Sequence, residues 1–583
     1  MTVEAVVDDI AEKFAAHGGQ PGLAYGIVAN GSLIHAGGFG ECFPDGPVPG
    51  PDTAFRIASM SKSFTASLLM LLRDQGELHL DDDARHYVPE LSGVAPAAAD
   101  CPPITIRHLL TMTAGFPTDD PWGDRQQGLP LQAFGQLLAR GGVRCAWAPG
   151  TRFEYSNLGY AILGRVIAAV TGDRYETSIR DRLLTPLGMT RTGFEASEFS
   201  INELARGYRR DEGRWLELDP DPSGAFAPMG GVFSTVTDLA GWVAGFAAAF
   251  PARDDEEDRH PLRRASRREM QLPQVAILGG FGSESMRFAG PVSISYGFGL
   301  FAEEDPAFGA ISQHSGGYPG YGSHMRWHLA TGLGSIVLAN GTYAAAGSLA
   351  GQILTAVLQG KDKSSGVRQA GPVPAPGTPW PDIPAATSAV NDLLQQWDDE
   401  AARRLFTPNV AMDRPLALRR SDIERLRERI GEFWPDEARP EENDSPAHSR
   451  WWVTGEHGTA CVQIKLAPLA ESRVQQLLLA IPPAPGSLLA TALRSLTDTL
   501  NQGGRDWPEG VDTTVNSAEV LRQLRVASAW AGHCEIDSYQ VGDGSVAVTA
   551  ELTGPTGRVS LTVEVAEQAQ RVQRVEVSLL RRR

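Results

Sequence analysis

The pattern of apolar and polar positions changes character twice along the chain. It opens with MTVEAVVDDIAEKFAAHG, where apolar residues recur at helical spacing among charged ones, which predicts an amphipathic helix. FRIASMSKSFTASLLMLL, from Phe55 to Leu72, leads into a mostly apolar helix whose predicted end is a glycine cap at Gly76. Further on, Pro149-Gly150 marks a turn, FEYSN reads as a short loop, and LGYAILGRVIAAV reads as an apolar helix. Helical and strand patterns alternate in this way to about residue 360. Residues 361–384, KDKSSGVRQAGPVPAPGTPWPDIP, then lose every hydrophobic period and read as a linker.

Beyond the linker the pattern repeats weakly. Trp451–Ile481 and Ile536–Val565 each read as strand, turn, strand, turn, strand. A helical pattern precedes each copy, RRSDIERLRERIGEFW from Arg419 and NSAEVLRQLRVASAW from Asn516. The expectation is two small α+β domains, residues 385–485 and 486–583, after an α/β region of 1–360. Their helix-then-meander order resembles nuclear-transport-factor-like or cystatin-like folds. No cluster of catalytic residue types falls in them, so their expected role is structural, either oligomer contact or covering the catalytic region.

Composition narrows the function classes. A formal net charge of −18 over 583 residues disfavours nucleic acid or an anionic membrane as the main partner. The five cysteines, Cys42, Cys101, Cys145, Cys461 and Cys534, are scattered, which speaks against a disulfide framework or a cysteine zinc site. No stretch is long and apolar enough to cross a membrane, and the opening helix lacks a signal-peptide core, so the expected location is the cytoplasm. DDEED, Asp254–Asp258, precedes an arginine-rich helix and reads as a solvated loop that neutralises it rather than as a metal site. No metal or organic cofactor is expected.

Three short segments carry chemistry. In SMSK, Ser59 and Lys62 are three residues apart and share a helix face. The chain has only five lysines, and Lys13 and Lys62 are the only two before residue 361. A buried lysine can become a neutral amine near neutral pH and activate a serine; arginine cannot. Tyr155 and Asn157, in YSN, can project a phenol and a carboxamide into one cleft, and a tyrosine beside an ammonium can lose its proton. His314-Ser315-Gly316-Gly317 reads as an edge strand whose glycines permit close approach of a ligand. Each segment alone also fits a plain structural role, as helix cap or glycine turn.

In the order S-x-x-K, Y-x-N, H-x-G these segments resemble the serine β-lactamase and penicillin-binding-protein-like family, especially its class C-like branch. That branch includes β-lactamases, D-aminopeptidases, D-amino-acid amidases and carboxylesterases. GLAYGIVANGSLIHAGGFGE looks like the opening hairpin, with Asn30-Gly31 at its turn, and ITIRHLLTMTAGFP, LLTPLGMTRTGF and PMGGVFSTVTDLAGW are also similar to the family. The resemblance implies an antiparallel sheet flanked by helices with a helical subdomain. It also implies roles: Ser59 as acylated nucleophile, Lys62, Tyr155 and His314 as catalytic partners, and Asn157, Gly316 and Gly317 as substrate-binding. The amides of Ser59 and Gly317 would hold the oxyanion.

His314 stands where true β-lactamases usually have lysine, and a neutral ring there offers little to a substrate carboxylate. Met112 and Ala114 depart from the more usual His and Ser, which implies altered packing near the site. The resulting expectation is a serine hydrolase acting on an ester, or on an amide or short peptide that can contain a D-amino acid. A β-lactamase or DD-carboxypeptidase, an acyltransferase or peptide cyclase, and a non-catalytic ligand-binding homologue stay open. The partners expected are a small substrate and a second copy of the chain through the C-terminal domains.

Overall fold

The computed structural model describes the chain except residues 1, 212–213, 254, 257, 278–292, 306–307, 360–378, 444, 509–510, 514, 567–570 and 581–583. Most of the predicted linker, 361–378, therefore lies outside the described residues; Ile383 and Pro384 already begin the helix Ile383–Gln395. The described residues form two compact units, one from the first 359 residues and one from 379 onward.

The first unit is built on an eight-stranded antiparallel sheet. Its spatial order is Ser32–Gly40, Gly22–Ala29, Gly334–Ala339, Tyr321–His328, Gly309–Tyr318, Phe301–Asp305, Ser293–Tyr296 and Val275–Ala276. The first two strands form the predicted hairpin. Asn30 and Gly31 both take positive φ, 51° and 76°, as a two-residue type I′ turn requires. One face of the sheet is covered by the helices Val3–Ala16 and Ala346–Gln359, through Val7, Ala11, Leu349 and Ile353 packed on Leu23, Tyr25, Ile27 and Val337. The opposite face receives the helix Val236–Ala247, whose Val236 approaches the bare α-carbon of Gly26.

The helix Ser61–Asp74 is the centre of this unit, and its residues Ser61 to Leu72 are all buried. Phe64 stacks on Trp242 at 3.9 Å, and Leu68, Leu69 and Leu72 are wholly enclosed. Each such leucine contributes roughly 1.5–3 kcal/mol of burial, which makes the helix a rigid support for whatever stands at its start. It ends as predicted. Gly76 has φ 77°, its N–H donates to Arg73 O, and the Glu77 N–H donates to Leu72 O, a Schellman closure. The arginine-rich helix Arg264–Gln271 is neutralised as expected: Arg264 pairs with Asp255 and Arg267 with Asp258, both at 2.6 Å. Asp254 and Glu257 of that acidic run lie outside the described residues.

The second unit contains two antiparallel four-stranded meanders, each preceded by its predicted helix, Leu416–Ile430 and Ser517–Ala531. Each copy has one strand more than the pattern suggests. Phe433–Pro435 is only three residues long and ends in proline, so it shows no alternation. Arg571–Leu580 alternates, but the phase slips between Val572 and Val575 where its register against Glu564–Val565 shifts. The two sheets are joined: Gln463 Nε2 donates to Gln540 O at 2.7 Å, and Trp452, Cys461, Ala480 and Tyr539 form a shared apolar cluster.

Candidate active site

Three elements of the first unit meet. Ser59 lies in the single turn Ala58–Met60 that leads into the helix Ser61–Asp74, which places Lys62 one turn above it. Tyr155 and Ser156 form the loop end of the helix Asn157–Thr171, and Ser156 Oγ caps it by accepting the Gly159 N–H. His314 to Gly317 lie on the strand Gly309–Tyr318. Its reading as an edge strand needs correction, because the strand is internal to the sheet. It pairs with Tyr321–His328 along Ile311–Tyr318, but with Phe301–Asp305 only from Gly309 to Gln313. The edge is thus confined to the half that begins at His314.

Lys62 is fully buried. Its Nζ lies 2.9 Å from Ser59 Oγ, 2.7 Å from Asn157 Oδ1 and 2.9 Å from Met229 O. Three acceptors match the three N–H bonds of an ammonium. The neutral amine keeps the donations to Asn157 and Met229 and turns its lone pair to the Ser59 hydroxyl. Burial pushes the lysine down to about 8, while the charges of Asp120, Asp124 and Asp119 oppose that shift. Both protonation states are therefore accessible near neutral pH.

The Tyr155 phenol lies close enough to Ser59 to feel its hydroxyl, and the Lys62 Nζ sits 4.9 Å from the Tyr155 ring centroid. Burial, reinforced by the charge of Asp120, holds the phenol well above its ordinary value. That direction runs against the loss of a proton expected of a tyrosine beside an ammonium.

Asn157 is tied into the site at both ends of its carboxamide. Its Oδ1 accepts from Lys62, its Nδ2 donates to Asp120 Oδ1 at 2.8 Å, and the residue is buried. It positions Lys62. His314 is also buried, with Nδ1 at 2.6 Å from Ser315 O and Nε2 at 3.3 Å from the Tyr296 hydroxyl. The carbonyl requires the proton on Nδ1, so Nε2 accepts from Tyr296. Burial, helped by the Lys62 charge, pushes the ring down to about 3. His314 is thus a neutral ring among Tyr155, Tyr296 and Phe301, with neither nitrogen turned to Ser59. The two glycines differ in what they permit. A side chain at Gly316 would strike Ile57 O and Ala58 Cβ, so this glycine lets the strand rest on the nucleophile turn, whereas Gly317 faces the Tyr343 ring. Met112 Sδ accepts the Ser156 N–H at 3.4 Å.

Sequence reasoning missed Asp119, Asp120 and Asp124. The signal was present: three acids within six residues follow directly on TMTAGFPT. Asp119 accepts the N–H groups of Asn157 and Leu158 at 2.7 and 2.9 Å, so it anchors the positive end of that helix. Burial raises its carboxyl to about 7 against those hydrogen bonds. Asp120 holds Asn157 and sustains the charge on Lys62. A neutral Lys62 amine acting as the base predicts that kcat/KM rises with pH through about 8. Asp120→Asn removes the opposing charge and should move that midpoint down by roughly half a unit or more. A pH–rate profile checks this, and an unmoved midpoint refutes the coupling.

Comparisons with known proteins give the family. The family model described as Beta-lactamase matches residues 7–358. The chain belongs to the β-lactamase family of serine hydrolases. Protein flp of Staphylococcus aureus strain N315 is 30% identical over 238 residues, 41% of this chain and 47% of that one. D-alanyl-D-alanine-carboxypeptidase/endopeptidase AmpH of Escherichia coli K12 is 28% identical over 275 residues, 44% of this chain and 67% of that one. The chain thus spans about half the length of the first of these curated relatives. An octameric penicillin-binding protein homologue from Pyrococcus abyssi shares the fold over 100% of this chain and 99% of its own, with TM-score 0.53 and 19% identity. Among the described residues no helix is long and apolar enough to cross a membrane.

Proposed function

We propose that the protein is a serine hydrolase that passes through an acyl-Ser59 intermediate on an ester, or on an amide of a short peptide. The observation that carries this reading is the buried Lys62 amine at 2.9 Å from Ser59 Oγ, with its pKa pushed down to about 8. The neutral amine takes the Ser59 proton as Oγ attacks the carbonyl carbon. The amides of Ser59 and Gly317 hold the oxyanion. Tyr155 gives its proton to the leaving oxygen or nitrogen as that bond breaks, and the phenolate formed is stabilised by the Lys62 ammonium. In the second step the phenolate takes a proton from water, the hydroxide attacks the acyl carbon, and Ser59 Oγ leaves with the proton of Lys62. Every group ends as it began.

The name of AmpH favours a second reading, a carboxypeptidase acting on a peptide with a D-residue. Two observations weigh against a substrate carboxylate beside Ser59. His314 is neutral, and the charges of three aspartates, Asp120, Asp124 and Asp119, already act on Lys62. The same observations make a β-lactam the less favoured substrate. Incubation with a fluorophosphonate followed by intact mass should show one adduct on Ser59, absent in Ser59→Ala. No adduct in the native chain, or an adduct that survives the substitution, defeats the hydrolase reading. For the second unit the octameric neighbour supports an assembly role, which a monomeric mass by light scattering would count against.

A further inference from the structure

Among the described residues, five other than glycine have positive φ, and three of them border the site. Ala58 precedes the nucleophile, Met112 holds Ser156, and Tyr343, at φ 50°, follows the last strand of the large sheet. An aromatic side chain there is a backbone outlier that the surroundings must hold in place. The Tyr343 ring lies on the bare α-carbon of Gly317; a Cβ at that glycine would fall 2.7 Å from Tyr343 Cδ1. Its hydroxyl donates to Asp124 Oδ2 at 2.7 Å.

These two contacts lie on two different elements that meet at the site. Gly317 belongs to the strand that rests on the Ile57–Ala58 turn. Asp124 belongs to the helical side, next to Gly123, which packs on the Asn157 side chain. The charge of Asp124 acts on both Lys62 and Tyr155. Tyr343 therefore links the strand that carries Gly317 to the segment that carries Asp124. It is 46% exposed, whereas its acceptor Asp124 is 3% and Ser59 is 8%. This is an outward-facing ring pinned to buried groups.

We propose that Tyr343 is a specificity-determining residue that closes the Gly317 edge of the cleft and limits the size of the substrate group running along it. This rests on the hydrolase reading. A short group ends against the ring. A longer one must swing the ring aside, which removes a hydrogen bond from the buried Asp124 carboxylate and so carries a free-energy cost. Tyr343→Ala removes the wall, and Tyr343→Phe keeps the wall but frees it from Asp124.

The test measures kcat/KM over two ester series in the full chain. One runs from nitrophenyl acetate to nitrophenyl octanoate, and the other is acetate esters of alcohols of rising length. In at least one series Tyr343→Ala should raise the long-to-short ratio by about tenfold or more, on the scale that pocket methylenes set. Tyr343→Phe should raise it by about threefold, the effect of one hydrogen bond. Fluorophosphonate labelling of Ser59, run alongside, separates the two claims. Labelling in every form with unchanged ratios in both series overturns the role of Tyr343 and leaves the hydrolase reading standing. No labelling of the native chain overturns both. Should Tyr343→Ala not fold, unchanged ratios in Tyr343→Phe overturn the role alone.

Discussion

Lys62→Arg should lower ester turnover by roughly a thousandfold while the protein stays folded, within the range ascribed to a lost general base. The two cations carry the same charge but differ in what they can give up. A guanidinium stays protonated at any pH the protein tolerates, so it has no lone pair for the Ser59 proton. Lys62 is held near the point of release by burial, which lowers it to about 8. Positive charge is still needed there, because Asp119, Asp120 and Asp124 all act on it. Arginine satisfies that need and can still donate toward Asn157 Oδ1 and Met229 O, which accept from Lys62. A nitrophenyl acetate assay with a melting curve on the same sample decides the matter. Turnover within about tenfold of native in a folded variant would show that the amine is not the base.

What was legible in the sequence follows from how local each signal is. The Asn30-Gly31 turn, the cap at Gly76 and the helix after YSN depend on adjacent residues; the turn and the cap stand where the pattern puts them, and the helix read from Leu158 starts one residue earlier, at Asn157. S-x-x-K was legible for the same reason, since helix geometry alone places Lys62 over Ser59. The partners of Lys62 were harder to see, because Asn157 and Met229 come from 95 and 167 residues away. Protonation states were harder still. The charge on Tyr155 depends on burial and on Asp120, and periodicity reports neither.

His314 shows the limit most clearly. Its position on a glycine-bearing strand could be read, but the direction of its ring could not. Tyr296 and Phe301, which receive that ring, lie on neighbouring strands. Tyr343 gave no signal at all. Nothing in NGTYAA announces a positive φ or a hydroxyl that reaches Asp124, 219 residues earlier. The residues that tune this site are those that the fold assembles from distant segments.

Gly316→Ala should harm both stability and turnover, and it tests how the oxyanion strand is seated. The added methyl would collide with Ile57 O and Ser323 Oγ, and would lie 3.1 Å from Ala58 Cβ. The serine can rotate, but the carbonyl cannot easily move. Ile57 O accepts from Ser323 Oγ at 2.7 Å and from the Met60 N–H at 3.2 Å, and the Ile57 N–H is tied to Val232 O at 2.9 Å. Relief must come from lifting the strand off the turn or from displacing the turn, and Ser59 is two residues from the clash. Overpacking of this kind costs about 2 to 3 kcal/mol, and a nucleophile misplaced by about 1 Å loses on the order of a hundredfold in rate. Gly317→Ala is the milder comparison, because its methyl would meet the Tyr343 ring, whose displacement gives up one hydrogen bond to Asp124 but moves no backbone of the nucleophile turn. Melting curves and nitrophenyl acetate turnover should rank native, Gly317→Ala and Gly316→Ala in that order of decreasing stability. A Gly316→Ala protein with native stability and turnover would mean that the strand does not rest on the nucleophile turn, and the placement of Gly317 in the oxyanion hole would lose its geometric support.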